Sequence, residues 1–198
     1  MTAIDTSLIV PGHGTVFWAP EDAALPADPL KEFQLAKDAP KGWVDLGHTS
    51  KENTIEFSKD GGDKTQLDTW YADAVRVVYG AMQWGMTVAA LQMTKQTLDL
   101  AFQGEMDSTS GRYIVPASSG ATRGQLVILF QDVTDSMVFY LPNTQTLLGD
   151  APSVNVEGFF EVQLSVSILS TQKLTANGKP GLMAIYKDDF KTSVEPAA

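Results

Sequence analysis

The chain has 198 residues, 24 acidic against 14 basic side chains, a formal net charge of −10 and no cysteine. That length suits one domain with arms, and the missing thiols exclude disulfides and thiol chemistry. The acidic balance opposes a grip on duplex DNA, whose affinity comes largely from cations meeting phosphates. It fits a well-hydrated surface, or one that faces DNA without holding it. Apolar residues make up 43%, enough for a core, yet no run approaches the ~18 needed for a membrane-spanning helix. The opening residues lack the basic region and long apolar stretch of a signal peptide.

Residues 1–13 read as an arm, with a small apolar patch at Leu8-Ile9-Val10. Gly14 to Trp18 is a short strand candidate. Residues 19–41 hold Pro20, Pro26, Pro29 and Pro40, four of the ten prolines. Proline removes a ladder donor and restricts its predecessor, so this is a long connection or lid. Leu30 to Ala36 could form one helical turn inside it. Trp43 to Leu46 and Thr54 to Ser58 then alternate apolar and polar residues, the period of a half-buried strand.

Asp60-Gly61-Gly62-Asp63 interrupts that alternation with two residues that tolerate positive φ, which marks it as a hairpin tip. The expected hairpin spans residues 54–70, with Lys59 and Lys64 flanking the tip. Strand-like runs follow at Thr65 to Trp70, Ala74 to Tyr79 and Gln83 to Leu91. A helix is expected over residues 94–103, with Thr94 as N-cap, Leu98, Ala101 and Phe102 as its apolar stripe, and Gly104 as C-cap.

Glu105 to Gly124 reads as two loops around a strand at Arg112 to Pro116. Gln125 to Phe130 and Met137 to Leu141 flank a hairpin connection, and the nearly continuous apolar run Leu126 to Phe130 suits a strand buried on both faces. Phe159 to Ser170 has the cleanest alternation in the chain. Phe160, Val162, Leu164, Val166 and Ile168 share one face, and Glu161, Gln163, Ser165 and Ser167 share the other with Phe159 and Leu169. Leu182 to Tyr186 is a last short strand, and residues 188–198 read as a tail. The whole is mainly β, about nine strands and one helix in a single domain over residues 14–187. A β-sandwich or partly closed barrel with the helix on one flank accommodates it.

Chemistry-bearing patterns are sparse. His13 and His48 are isolated in the sequence, whereas catalytic and metal roles need a positioned partner. Gly178-Lys179-Pro180 lacks the upstream glycine and following Ser/Thr of a phosphate loop. Ser118-Ser119-Gly120 is not a nucleophile elbow. The pairs Glu21-Asp22 and Asp188-Asp189 read as solvated charge, and Asp60 to Asp63 lacks the alternating ligands of a calcium loop. Trp18, Trp43, Trp70 and Trp84 do not interleave with basic residues as a single-strand-binding platform would, and read as core or subunit contacts. No catalytic residue, metal or cofactor is expected.

Three blocks in order carry a resemblance: Gly42-Trp43-Val44-Asp45-Leu46-Gly47-His48-Thr49, Phe57-Ser58-Lys59-Asp60-Gly61-Gly62-Asp63, and Gln66-Leu67-Asp68-Thr69-Trp70. With this spacing the chain resembles the major tail proteins, or tail tube proteins, of phages with long non-contractile tails, especially those of actinobacterial hosts. The resemblance implies hexameric rings stacked into a tube, with a hairpin and terminal arms reaching the next ring. It would make Lys59, Asp60, Gly61, Gly62, Asp63 and Lys64 an inter-ring stacking loop. Glu161, Gln163, Ser165 and Ser167 would be candidates for the bore, and the proline-rich connection would be a contact surface between subunits. Implied partners are further copies of the chain, a tape measure protein, a tail terminator and distal tail or baseplate proteins. Viral DNA would pass through the tube unbound, with no membrane involved. The implied location is the virion tail, assembled in the host cytoplasm. A β-sandwich binding module, for carbohydrate or virion decoration, is the alternative of the same fold class. A β-rich hydrolase is the third reading, and no nucleophile–base pair in the sequence supports it.

Overall fold

A computed structural model describes residues 10–71, 73–132, 135–154 and 156–191. In chain order, β1 (His13–Ala19) leads through a helical turn, α1 (Pro29–Glu32), to β2 (Val44–Asp45). Next come β3 (Glu56–Gly61), β4 (Lys64–Leu67), β5 (Arg76–Tyr79), β6 (Met82–Ala90) and the helix α2 (Lys95–Phe102). The remaining strands are β7 (Glu105–Asp107), β8 (Arg112–Ile114), β9 (Thr122–Gln131), β10 (Ser136–Leu148), β11 (Val162–Ile168), β12 (Thr171–Ala176), β13 (Lys179–Gly181) and β14 (Ala184–Lys187).

The mainly-β class and the flanking helix match the sequence reading. The count does not: fourteen strands and two α-helices lie among the described residues. The strand expected at Arg112 to Pro116 is present as β8, and the additional strands are short: β7, which pairs with β8, and the pair β12 with β13. Most of residues 1–13 and 188–198 lies outside the described residues. Within the described parts, His13 already opens β1 and Asp188–Lys191 forms a 3-10 turn.

One eight-stranded sheet in the order β2-β1-β9-β10-β11-β6-β3 dominates, with β14 also paired to β10. β10 serves two neighbours along its length. Met137 to Tyr140 pair with β14, Thr144 to Leu148 pair with β11, and the register against β9 shifts between Leu141 and Thr144. The sheet curls until its ends approach. Val44 and Asp45 pair with β1, and a few residues later Thr49 bridges to Ala90 of β6. Ser50 N donates to Ala89 O and Leu91 N to His48 O, each at 2.9 Å. Closure therefore rests on one short segment rather than a full ladder, so the barrel is only partly closed. The Asp45 carboxylate holds this seam by accepting from the Thr15 hydroxyl at 2.6 Å and from Gly47 N at 2.8 Å.

Alternation along β9 divides the core in two. Leu126 and Ile128 face the barrel interior with Val16, Leu141, Leu164, Val166, Met86 and Val88. Val127 and Leu129 face the other way, with Phe17, Val138 and Tyr140. The proline-rich connection covers this second face. Its Leu30 and Phe33 are buried there, Phe33 packs edge-on against Trp43 at 5.1 Å, and Ala23, Leu25, Leu35 and Ala39 lie against the same cluster. The connection is thus a lid on its own chain, anchored by the buried Leu30 and Phe33. The helical turn expected at Leu30 to Ala36 is present but shorter and earlier, with Pro29 in its first turn where a missing N–H costs nothing.

A buried polar hub ties the lid down. Gln125 is fully buried, and its Nε2 donates to Pro20 O at 2.8 Å, Glu21 O at 3.1 Å and Ala23 O at 2.8 Å. Its Oε1 accepts from the Tyr140 hydroxyl at 2.5 Å. Burial, and then the nearby Tyr186, push the Tyr140 hydroxyl above the ordinary tyrosine value, so it stays a donor.

Helix α2 packs against β10 and β11. Thr94 caps it as expected, its hydroxyl accepting from Thr97 N at 3.2 Å. Of the expected stripe, Ala101 is buried and Phe102 packs against the core, and Thr97 and Leu100 are buried with them, while Leu98 is half-buried. The left-handed C-cap is Gln103, at φ 48°, one residue before the expected Gly104.

Candidate functional site

Two surfaces distinguish the molecule, and both arise from the β3–β6 half of the sheet. The first is a polar face. Along β11, Val162, Leu164, Val166 and Ile168 are at most 4% exposed, while Gln163, Ser165 and Ser167 point to the opposite side. Register extends that side across five strands. Ser167 lies beside Gly85 and Gly85 beside Ser58; Ser165 lies beside Thr87 and Thr87 beside Glu56. On the other flank Ser167 meets Gln145, which meets Arg123. Gly85 keeps the surface low, since a Cβ there would sit 2.9 Å from Ser58 Oγ and 3.2 Å from Val166 O.

Of the four residues expected on this face, three are in β11 and the fourth is not. Glu161 precedes the strand and accepts from Asn53 Nδ2 at 2.6 Å. Phe160, expected in the core, is 40% exposed because the strand begins only at Val162. A shallow cavity of about 180 Å³ opens on the same face, lined by Glu52, Asn53, Thr54, Glu56, Thr87 and Gln163 among others.

The second surface is an arm. The expected hairpin over residues 54–70 does not close on itself. β3 pairs with β6, from Glu56 beside Thr87 to Gly61 beside Met82, and β4 pairs with β5, from Lys64 beside Tyr79 to Leu67 beside Arg76. The chain makes one long hairpin from Glu56 to Ala90. Asp60 to Asp63 is a joint within it rather than its tip. Gly62 N donates to Ala81 O and Gly80 N to Asp63 O, both at 3.0 Å, and these bonds carry the ribbon across the joint.

The joint needs its glycines. Gly61 and Gly62 have φ of 74° and 77°, and a Cβ on Gly61 would lie 2.4 Å from Ala81 O. The actual tip lies between β4 and β5. There the Asp68 carboxylate accepts from Ala74 N at 2.7 Å, and Val75 N donates to Leu67 O at 3.1 Å. Beyond the joint no described residue covers the ribbon. All eight residues of β4 and β5 are exposed, Tyr79 at 69% and Val78 at 42%, and Trp70 and Tyr71 at the tip are fully exposed.

The remaining polar clusters are local turns. The Ser110 hydroxyl, the Ser110 and Thr109 amides and Arg112 hold the Asp107 carboxyl below its ordinary range, within a tight β7–β8 connection. His13 and His48 are both exposed. Among the described residues no group of three His, Asp or Glu side chains is placed to hold a metal ion. No described helix is long and apolar enough to cross a membrane.

A curled mainly-β domain with a low polar sheet face and an uncovered two-stranded arm defines a structural protein built to meet other chains. Comparison with known families agrees: residues 1–192 match the family described as phage tail tube protein. The chain belongs to that family, and so is a structural component of a viral tail that assembles with itself into a tube. No curated protein matches it.

Proposed function

We propose that six copies close into a ring, that rings stack into the tube of a long non-contractile tail, and that the bore conducts the genome into the host during ejection. In this reading Gln163, Ser165 and Ser167, with Thr87, Ser58 and Glu56, line the bore, and Glu161 lies at its margin. The observation that carries it is the polar face itself. It is a five-stranded surface mostly of small or uncharged polar side chains, with Glu56 at one edge and Arg123 as the one cation named on it, on a chain of net charge −10. DNA meeting such a wall finds like charge and hydroxyls, and slides. Residues 59–64 act in ring stacking as the joint that aims the arm at the next ring. The tape measure protein, tail terminator and distal tail or baseplate proteins are the other partners, and assembly takes place in the bacterial cytoplasm.

Two measurements test this. Negative-stain electron microscopy of the purified chain across concentration should reveal rings or tubes with a central bore. Particles carrying Ser165→Lys should still have tails but release DNA more slowly. The delay should shrink as salt rises, because added ions screen a lysine–phosphate attraction. Unchanged release at low salt would remove this face from the bore.

A further inference from the structure

Asparagine followed by glycine occurs once in the chain, at Asn177-Gly178. The pair forms the two-residue turn between β12 and β13, with Ala176 beside Lys179 on its flanks. Both residues have positive φ, 52° and 72°, as a tight hairpin of this length requires. Both are exposed, and a Cβ on Gly178 would meet nothing within 4 Å. The other asparagines with described surroundings precede threonine and are tied down. Asn53 Nδ2 donates to Glu161 Oε2 at 2.6 Å, and Asn143 Nδ2 donates to Ser170 O at 3.1 Å.

An asparagine carboxamide lies one ring closure away from the next backbone nitrogen. A following side chain obstructs that closure, and glycine has none. The ladder around the turn is also weak. Pro180 has no N–H to give β12, the register slips between Thr171 and Thr175, and β13 spans only Lys179–Gly181. A two-stranded ribbon is marginal in water, so the turn opens locally and the Gly178 nitrogen can reach Asn177 Cγ.

We infer that Asn177 is a site of spontaneous deamidation, and that its conversion loosens the lid. The Gly178 nitrogen bonds to Asn177 Cγ, the bond from Cγ to the side-chain nitrogen breaks, and that nitrogen leaves with the glycine proton as ammonia. Water then adds to either carbonyl of the cyclic imide. One opening yields aspartate at this position, the other isoaspartate, whose backbone runs through the side-chain carbon. Water is the sole co-reactant, and nothing is oxidised or reduced. Either product adds a negative charge, and isoaspartate lengthens a turn built for two residues.

The attachment of the hairpin carries this change to the lid. Leu174 of β12 packs with Phe33, Trp43, Val127 and Leu129. Gly181 of β13 closes on it so tightly that a Cβ there would lie 2.8 Å from Leu174 Cβ. Beside it Lys173 Nζ donates to Glu21 O at 2.6 Å, the same lid carbonyl that accepts from Gln125. A hairpin that loses its register withdraws both contacts. The inference is independent of how copies assemble.

The purified chain is held in mildly alkaline buffer and followed by isoelectric focusing, peptide mass mapping and labelling with isoaspartyl methyltransferase. The expected result is a form more acidic by a single charge, mapped to the peptide that contains Asn177 and labelled by the methyltransferase. In that form protease should cut faster within residues 20–41. Asn177→Gly keeps a turn that tolerates positive φ and removes the carboxamide, and should show neither change. A folded chain that keeps Asn177 intact while the urea-unfolded chain converts would overturn the inference, as would conversion at Asn53 or Asn143 ahead of Asn177. Conversion without faster cutting would overturn the link to the lid.

Discussion

β9 and the β4–β5 ribbon are both strands rich in apolar side chains, and their surroundings are opposite. In β9, six consecutive residues from Gly124 to Leu129 are buried, because the barrel interior lies on one side and the proline-rich lid on the other. In the ribbon all eight residues are exposed, because neither the barrel nor the lid extends past the glycine joint. Burying one valine or leucine is worth about 1.5–3 kcal/mol. β9 gains that within the subunit, whereas the ribbon gains none of it from the described residues. On the proposed function, stability of the single chain and capacity to assemble reside in different strands, and substitutions should separate them.

The largest effect is expected at the barrel wall. Ile128→Ala leaves a cavity where the strand is packed on both faces, and should cost about 3 kcal/mol in a denaturant titration. Gln125→Ala comes next. It strips the donor from three lid carbonyls and the acceptor from Tyr140, at about 2 kcal/mol, and should raise protease cutting within residues 20–41 before global unfolding. The smallest effect on stability is expected in the ribbon. Leu67→Ser with Val78→Ser should stay within about 0.5 kcal/mol of the parent chain, yet stacked tubes should be lost by electron microscopy. A large loss of stability in that variant would mean that the ribbon packs on its own barrel, and the contrast would fail.

The sequence made the two-faced burial of β9 legible because the successive apolar residues Leu126 to Phe130 leave no room for alternation. β11 was legible for the opposite reason, its period of two being unbroken from Val162 to Ile168. Its start was not: Phe160 continues the period, but nothing pairs with it. The pairing of β3 was hidden because Gly61-Gly62 satisfies the local chemistry of a tip. Gly80 facing them across the ribbon was the signal of a joint, but only the register reveals which glycines oppose one another. The true tip contains no glycine and is organised by Asp68. The β12–β13 pair carries a turn signal, Asn177-Gly178, both at positive φ. Among the candidate bore residues, Gln163, Ser165 and Ser167 followed from alternation alone. Their neighbours Thr87, Ser58 and Glu56 could not, since register across strands is not written in any one of them.

The order in which the pieces are joined has its own effect on how the chain is made. β1 pairs with β9, and the lid is tied to the sheet by Gln125 reaching Pro20 across 105 positions. β6 waits for β11 in the same way. Distant pairings of this kind fold slowly, because a large loop must close before any contact rewards it. A chain emerging from the ribosome exposes its first hundred residues, arm included, before the strands that organise them exist. The polar wall, both cores and the lid then form together once β9 to β11 have been synthesised, so an unfinished chain offers no completed sheet on which a neighbour could begin to build.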